Sequence, residues 1–231
     1  MFIDENKTSS ALKFLGKKIE NIISFVGNPQ SYCIGMVDMV DSTKITSGIS
    51  HDKVCSLYAI FLNSMAMLVG QFEGKVIKNI GDSLLFYFPK TKTQNRGELE
   101  KTLFCGQTML KSRALLNATL NTNDLPSVGY RITADYGLIS LAESATSSNE
   151  DVFGSTVNRC FKMKSLTEPN TMSIGYGLYQ LVTDSKHFKF REQGVCDLGQ
   201  TKGYSIYGVK SNVDKKESSK LTISQRKRKS I

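Results

Sequence analysis

Two aspartates stand where a carboxylate could do chemistry. Asp38 falls inside the apolar run Ile34-Gly35-Met36-Val37-Asp38-Met39-Val40, a setting from which an uncompensated charge is normally excluded. Asp82 lies in Lys78-Asn79-Ile80-Gly81-Asp82-Ser83, where Gly-Asp between two short β-rich runs marks the tip of a hairpin. If the strand bearing Asp38 and this hairpin are neighbours, both carboxylates meet at one edge of a sheet. Hard divalent ions choose oxygen ligands, so the pair suits Mg²⁺ or Mn²⁺. Taken singly, each acid also has a plainer role, Asp82 as a hydrogen-bonded turn residue and Asp38 as a helix cap. Cys33, Cys55, Cys105, Cys160 and Cys196 lie far apart, with no C-x-x-C pair and no neighbouring His to complete a zinc set, so zinc chemistry is not indicated. They read as buried small apolar residues in a reducing compartment.

The elements that must position these acids follow from hydrophobic spacing. Residues 7–26 carry Leu12, Leu15, Ile19, Ile22 and Ile23 at helical spacing, with Gly27-Asn28-Pro29 as a stop, which predicts a short amphipathic helix leading into the domain. Tyr32 to Val40 reads as a buried strand, and Asp41-Ser42-Thr43 as the start of a helix. Val54, Leu57, Tyr58, Phe61, Met65 and Leu68 recur every three or four residues, predicting a long core-facing helix over 52–70. Lys75 to Ile80 and Leu84 to Phe88 form the hairpin, and a helix over 98–120 follows. Val128 to Ala134 and Leu138 to Ala142 are expected as strands joined by a turn at Asp135-Tyr136-Gly137. After a polar loop come a helix over 156–166, a strand over 171–174, and final strands at 188–190 and 204–209. Helices alternate with strands while two hairpins intervene, so the sheet must be mixed and the class α+β.

Composition narrows the function classes. At 231 residues the chain can bury one sizeable core. Its formal charge is +9, but seven Lys or Arg against Asp214 and Glu217 put +5 of it between residue 214 and the C-terminus. The body is therefore only mildly basic, and charge does not nominate a specific nucleic-acid partner. The tail over 212–231, rich in Ser, Lys and Arg, is expected to be disordered. Its run Arg226-Lys227-Arg228-Lys229 allows at most a weak contact with an anionic surface. The longest apolar stretches, such as Tyr58 to Val69, read as too short and too polar at their flanks to span a bilayer, and no signal-peptide pattern is present. A soluble cytoplasmic protein is expected.

Three segments together resemble the class III adenylate and guanylate cyclase family. Val37-Asp38-Met39-Val40-Asp41-Ser42-Thr43 is similar to the family's first metal motif, and Lys78-Asn79-Ile80-Gly81-Asp82 to its K-x-x-G-D hairpin. Asp151-Val152-Phe153-Gly154-Ser155-Thr156-Val157-Asn158 matches its D-x-x-G-x-x-V-N segment. Each pattern alone is weak; three in order, over residues of about 30 to 210, are specific. The resemblance implies a ferredoxin-like βαββαβ-type mixed sheet with helices on one face, as a catalytic domain over 30–211 flanked by an N-terminal segment (1–29) and the tail.

The resemblance also implies roles. Asp38 and Asp82, with the backbone carbonyl of Met39, match the ligands of two divalent cations, Mg²⁺ or Mn²⁺. Lys78 and Asp151 match the pair that reads the purine. An ammonium facing adenine N1 and a carboxylate accepting from its amine are both satisfied, whereas guanine reverses both positions. Taken alone, Lys78 is an exposed strand lysine and Asp151 a loop acid. Asn158 matches the asparagine that orients the ribose, or by itself a helix cap. Lys162 stands where the family has an arginine that stabilises charge on the α-phosphate; it keeps the charge but loses the planar fork, and Arg159 projects about 100° away. Lys202 is the nearest match to a lysine that grips the terminal phosphates, across a gap. The family builds its sites between subunits, so a head-to-tail homodimer converting ATP to cyclic AMP and pyrophosphate is expected. The alternatives are a catalytically weakened nucleotide-binding regulatory homologue and a cyclase with relaxed ATP/GTP selectivity.

Overall fold

Side-chain alternation along the central strand decides which residues face which layer. The computed structural model describes residues 23–144, 147–197, 199 and 203–212. In chain order these form β1 (Ile23–Met39), α1 (Ser42–Ser47), α2 (His51–Gln71), β2 (Lys75–Ile80), β3 (Ser83–Phe88), α3 (Arg96–Thr122), β4 (Tyr130–Ser144), β5 (Ser147–Phe153), α4 (Ser155–Met163), β6 (Met172–Gly175), α5 (Tyr176–Val182), β7 (Phe188–Cys196) and β8 (Tyr204–Ser211). Short 3₁₀ turns follow β3 (Pro89–Thr93) and α4 (Lys164–Leu166). The strands make one eight-stranded sheet in the order β2-β3-β1-β4-β6-β8-β7, with β5 pairing on β4. Its first four strands are mutually antiparallel in the βαββαβ arrangement, and β6 joins β4 in parallel. The sheet is mixed and the class α+β, as expected.

Along β1, Cys33, Val37 and Met39 enter one core layer and Ile34 and Met36 the other, as a period of two requires. The first layer is covered by α2, α3 and α5. From α2 the residues Leu57, Phe61, Met65 and Val69 are completely buried, each contributing roughly 1.5–3 kcal/mol of burial. The second layer lies under α4, which places Val157, Cys160 and Met163 against Ile34, Met36, Leu85 and Tyr87. Helices therefore cover both faces, a correction to the expectation of one, because the apolar stripe of α4 is needed to close the layer on Asp38's side of the sheet.

Other differences have local causes. Residues 7–22 of the expected N-terminal helix, and the basic tail from 213 onward, lie outside the described residues. Ile23–Val26 are strand, not helix, because β1 pairs with the far half of β4 from Ile23↔Ser144 to Val26↔Leu141. The stop at Gly27-Asn28-Pro29 becomes a bulge before Gln30, with Gly27 at φ 67°. No turn interrupts β4 at 135–137; Asp135, Tyr136 and Gly137 pair with Ile34, Cys33 and Tyr32. The described part of the polar loop forms β5, and α5 was not anticipated. Among the described residues one helix, α2, is long and apolar enough to cross a membrane by length and composition, contrary to the sequence expectation; in this fold its apolar stripe faces the core.

Four cysteines are buried and Cys55 is exposed, because it falls off the 57-61-65-69 stripe of α2. Burial pushes the Cys33 and Cys105 thiols up to about 12. Native protein treated with a thiol-specific disulfide reagent will release one fast equivalent per chain, and Cys55→Ser will abolish it. A second fast thiol in folded protein would contradict this burial pattern.

At the end of α2, Glu73 accepts hydrogen bonds from Lys101 and Lys90, tying that helix to α3 and to the turn that precedes it. Lys101 first, then Lys90, pull its carboxyl from an ordinary 4.5 to about 2. The folded form is the stronger acid, so the stabilisation is present above the unfolded value and lost as pH falls through the folded one. Glu73→Gln is expected to lower Tm slightly near neutrality, with the difference from wild type narrowing as pH falls below 4.5.

Candidate active site

A buried carboxylate needs partners, and the register of the sheet supplies them. Asp38 is 3% exposed at the end of β1, with Ser83 of β3 as its cross-strand neighbour on one side and Arg131 of β4 on the other. The Ser83 hydroxyl lies 2.6 Å from Asp38 Oδ1 and 3.5 Å from Asp82 Oδ1, so both carboxylates meet around one hydroxyl. What puts Asp82 there is the two-residue turn between Ile80 and Ser83. Gly81 takes φ 61° at its first position, the conformation a II′ hairpin demands of that residue. Asp38 is not a helix cap: Asp41 holds the cap position of α1, in a left-handed conformation and with no side-chain capping bond. Met39 sends its side chain into the core, which leaves its backbone as the group able to act as a ligand.

A second cluster forms farther along the hairpin. Lys78 Nζ lies 2.6 Å from Asp151 Oδ2, with both side chains partly exposed. The other oxygen, Oδ1, accepts from Val152 N–H at 2.8 Å, which fixes the carboxylate. Asp151 is thus a residue of β5, not of a loop, and the pairing of Ala142 with Asp151 on β4 sets its height in the sheet.

Helix α4 carries the third set. Asn158 lies in its first turns and is exposed; the cap position belongs to Gly154, so Asn158 does not cap. Lys162, one turn later, is exposed and donates to the Asp197 carbonyl at 3.2 Å. Arg159 points elsewhere, as the helical geometry predicts. Its Nε binds Asp135 Oδ2 at 2.5 Å, its two terminal nitrogens reach Ser155 and Thr156, and its guanidinium lies 4.8 Å from the Tyr204 ring centroid. Asp135 is 0% exposed and also accepts from the Tyr204 hydroxyl and from the N–H groups of Tyr136 and Leu178. Burial holds its carboxyl above the usual carboxylate range, and Arg159, the Tyr204 hydroxyl and the Tyr136 N–H offset only part of that rise. Gly137 is required beside this cluster, since a Cβ there would come within 2.7 Å of both Arg159 and Thr156. Lys202 lies outside the described residues.

Residues 27–215 match the family described as the adenylate and guanylate cyclase catalytic domain. The chain belongs to this family. The cyclase domain resembles the adenylyl cyclase CyaB from P. aeruginosa with a TM-score of 0.71, at 19% identity over 79% of this chain and 95% of that one. The guanylyl cyclase Cya2 matches equally, at TM-score 0.71 and 19% identity over 79% and 93% of the two chains. The guanylate cyclase domain of RhGC from Catenaria anguillulae, in complex with GTP, gives TM-score 0.67 and 14% identity over 80% and 99%. No curated protein matches the sequence. Fold and family are those of class III nucleotide cyclases, with adenylyl and guanylyl enzymes both among the relatives.

Sequence reasoning missed the groups that surround Asp38. Lys164, on the 3₁₀ turn after α4, donates to Asp38 Oδ1 at 2.9 Å, and Arg131 Nε lies 4.0 Å from Oδ2. Arg131 was recoverable only from strand register, and Lys164 only from the docking of α4 across 126 residues of sequence. The Asp135–Arg159 pair was likewise hidden, Asp135 having been assigned to a turn.

The pair has a measurable role in holding α4. Arg159→Met leaves the Asp135 carboxylate buried without a countercharge, which costs about 3–5 kcal/mol and is read as a lower urea midpoint. Adding Asp135→Asn to it will recover part of the loss, as a direct interaction requires; strictly additive effects would show the two groups to be independent.

Proposed function

We propose that this cyclase domain is an adenylate cyclase, forming 3′,5′-cyclic AMP and pyrophosphate from ATP at sites shared by a head-to-tail homodimer. The observation that carries the reading is the Lys78–Asp151 contact at 2.6 Å. It sets a donor from β2, in the hairpin whose tip brings Asp82 to Asp38, beside an acceptor from β5. An adenine edge satisfies both groups, whereas guanine leaves both mismatched at roughly 1–3 kcal/mol per unpaired polar group.

The donor set around Ser83 fits a hard divalent cation, being two carboxylates that meet at one hydroxyl, with the Met39 carbonyl adjacent in sequence. Among the described residues there is no cluster of three or more His, Cys, Asp or Glu, so the carbonyl and substrate oxygens would complete the set. When bound, two such ions, Mg²⁺ or Mn²⁺, supply charge neutralisation for attack by the ribose 3′-hydroxyl and for departure of pyrophosphate. Asp38, Asp82 and the Met39 backbone carbonyl would hold them. Lys78 and Asp151 fix the base, Asn158 orients the ribose, Lys162 carries positive charge toward the α-phosphate, and Lys202 toward the terminal phosphates.

One feature supports the assembly. The arm of β1, β4 and β5 exposes Ile23, Phe25, Val26, Leu138 and Phe153, with the Phe25 and Phe153 rings in edge contact at 5.4 Å. A concentration of large apolar side chains of this kind suits a protein partner.

One observation favours a second reading, a nucleotide-binding regulatory homologue with weakened catalysis. Lys162 replaces an arginine and is engaged with the Asp197 carbonyl, and a lysine lacks the two-pronged donor geometry.

Purified protein given ATP and GTP in competition, with Mn²⁺, is expected to yield cyclic AMP in excess, and Asp82→Ala to yield none. Predominant cyclic GMP would overturn the substrate assignment, and no cyclic nucleotide at any metal concentration would overturn catalysis. Lys162→Arg separates the two readings: a severalfold rise in kcat marks a working enzyme, and a rise from near zero marks the regulatory homologue.

A further inference from the structure

Asp38, read above as a metal ligand, already holds a cation. Its Oδ1 accepts both the Ser83 hydroxyl at 2.6 Å and the Lys164 ammonium at 2.9 Å. The remaining oxygen, Oδ2, faces Arg131 Nε at 4.0 Å, and that nitrogen is buried without a hydrogen-bond partner. The two cations are held differently. Arg131 is largely buried and its NH1 donates to the Lys164 carbonyl at 3.1 Å, so it braces the 3₁₀ turn after α4. The Lys164 side chain is 40% exposed and reaches Asp38 from the solvent side on a flexible stem, which can release it without rearranging the core.

We propose that Lys164 is the resident counter-ion of Asp38, and that an incoming divalent cation must displace its ammonium, so that Lys164 sets the metal affinity of the site. The inference rests on Asp38 being a metal ligand and adds a determinant of occupancy to it. A carboxylate this deeply buried is costly unless paired, and Lys164 meets that requirement from within the chain. A divalent ion at Oδ1 meets the same requirement with twice the charge and repels the ammonium from short range. Lys164 then turns outward to water while Arg131, tied to the backbone, stays. The balance is a competition between two cations for one oxygen, and removing the weaker competitor strengthens the other.

The test uses the full-length protein and Mn²⁺ alone, with free ion followed by its electron paramagnetic resonance signal, so that turnover plays no part. Lys164→Gln removes the charge while keeping a polar side chain of similar reach. It is expected to bind Mn²⁺ roughly tenfold more tightly than wild type, a modest factor because an exposed ammonium is already screened by water. Lys164→Arg is expected to bind no more tightly than wild type. Urea midpoints of each variant confirm folding. Lys164→Gln titrating like wild type, including a case in which neither binds, overturns the displacement. Adding Asp38→Asn, or Asp82→Asn if the first does not fold, decides the site. Loss of the gained binding places the ion on the aspartates and supports the inference, while a gain that persists puts it elsewhere and overturns both the inference and the metal assignment. Wild-type binding that Asp38→Asn abolishes, with no gain in Lys164→Gln, sinks the inference and leaves the metal assignment standing.

Discussion

Burying the carboxylate of Asp38 at the end of a central strand commits much of the molecule around it. The charge has to be matched, and each match comes from a different element: a hydroxyl from β3, a guanidinium from β4 and an ammonium from the turn after α4. None is close to Asp38 in sequence. The order β2-β3-β1-β4 is what sets Ser83 and Arg131 on either side of it, and the same antiparallel pairing of β2 with β3 brings Asp82 around the Gly81 turn to the same hydroxyl. Strand register is therefore a chemical constraint here: a slip of one residue would turn Asp38 into the opposite core layer, under the apolar faces of α2 and α3.

Helix α4 is the second fixed point, and it is fixed through a different charge. Arg159 locks one side of the helix onto Asp135 and Tyr204 beneath it, and Val157, Cys160 and Met163 seal the layer below. The helix is thereby set in rotation as well as position. Asn158 and Lys162 consequently stay on the exposed side, and the turn that follows is placed so that Lys164 reaches Asp38. A buried pair that touches no substrate group thus controls where several candidate substrate groups stand.

Most of the order of elements was legible because it depends on local signals. The 57-61-65 stripe of α2, the Gly-Asp turn of the β2–β3 hairpin and the anomalous acid in β1 all declare themselves within a few residues. What escaped depends on partners far away. Asp135-Tyr136-Gly137 has the composition of a turn, yet it runs on as strand because Arg159, Tyr204 and two backbone N–H groups satisfy the aspartate in the interior and the glycine admits the Arg159 side chain. The candidate site could be proposed from residue types at family spacing, and its internal pairings could not. Lys78 with Asp151 and Lys164 with Asp38 join segments 73 and 126 residues apart, and only the folded sheet brings them together.

The distribution of arginine and lysine follows from this division of labour. The guanidiniums, Arg131 and Arg159, are mostly buried and brace the scaffold, as suits a rigid planar fork with several donors. The ammoniums of Lys78, Lys162 and Lys164 stand at the surface of the site on flexible stems, and each has a protein acceptor: a carboxylate, a backbone carbonyl and a second carboxylate. A ligand that engages any of the three must therefore outcompete an existing bond, so its binding is an exchange of partners and not the neutralisation of a free charge. Such an exchange gains less than the gross interaction suggests, which makes the strength of these internal pairings, as much as the identity of the site residues, the quantity that governs occupancy.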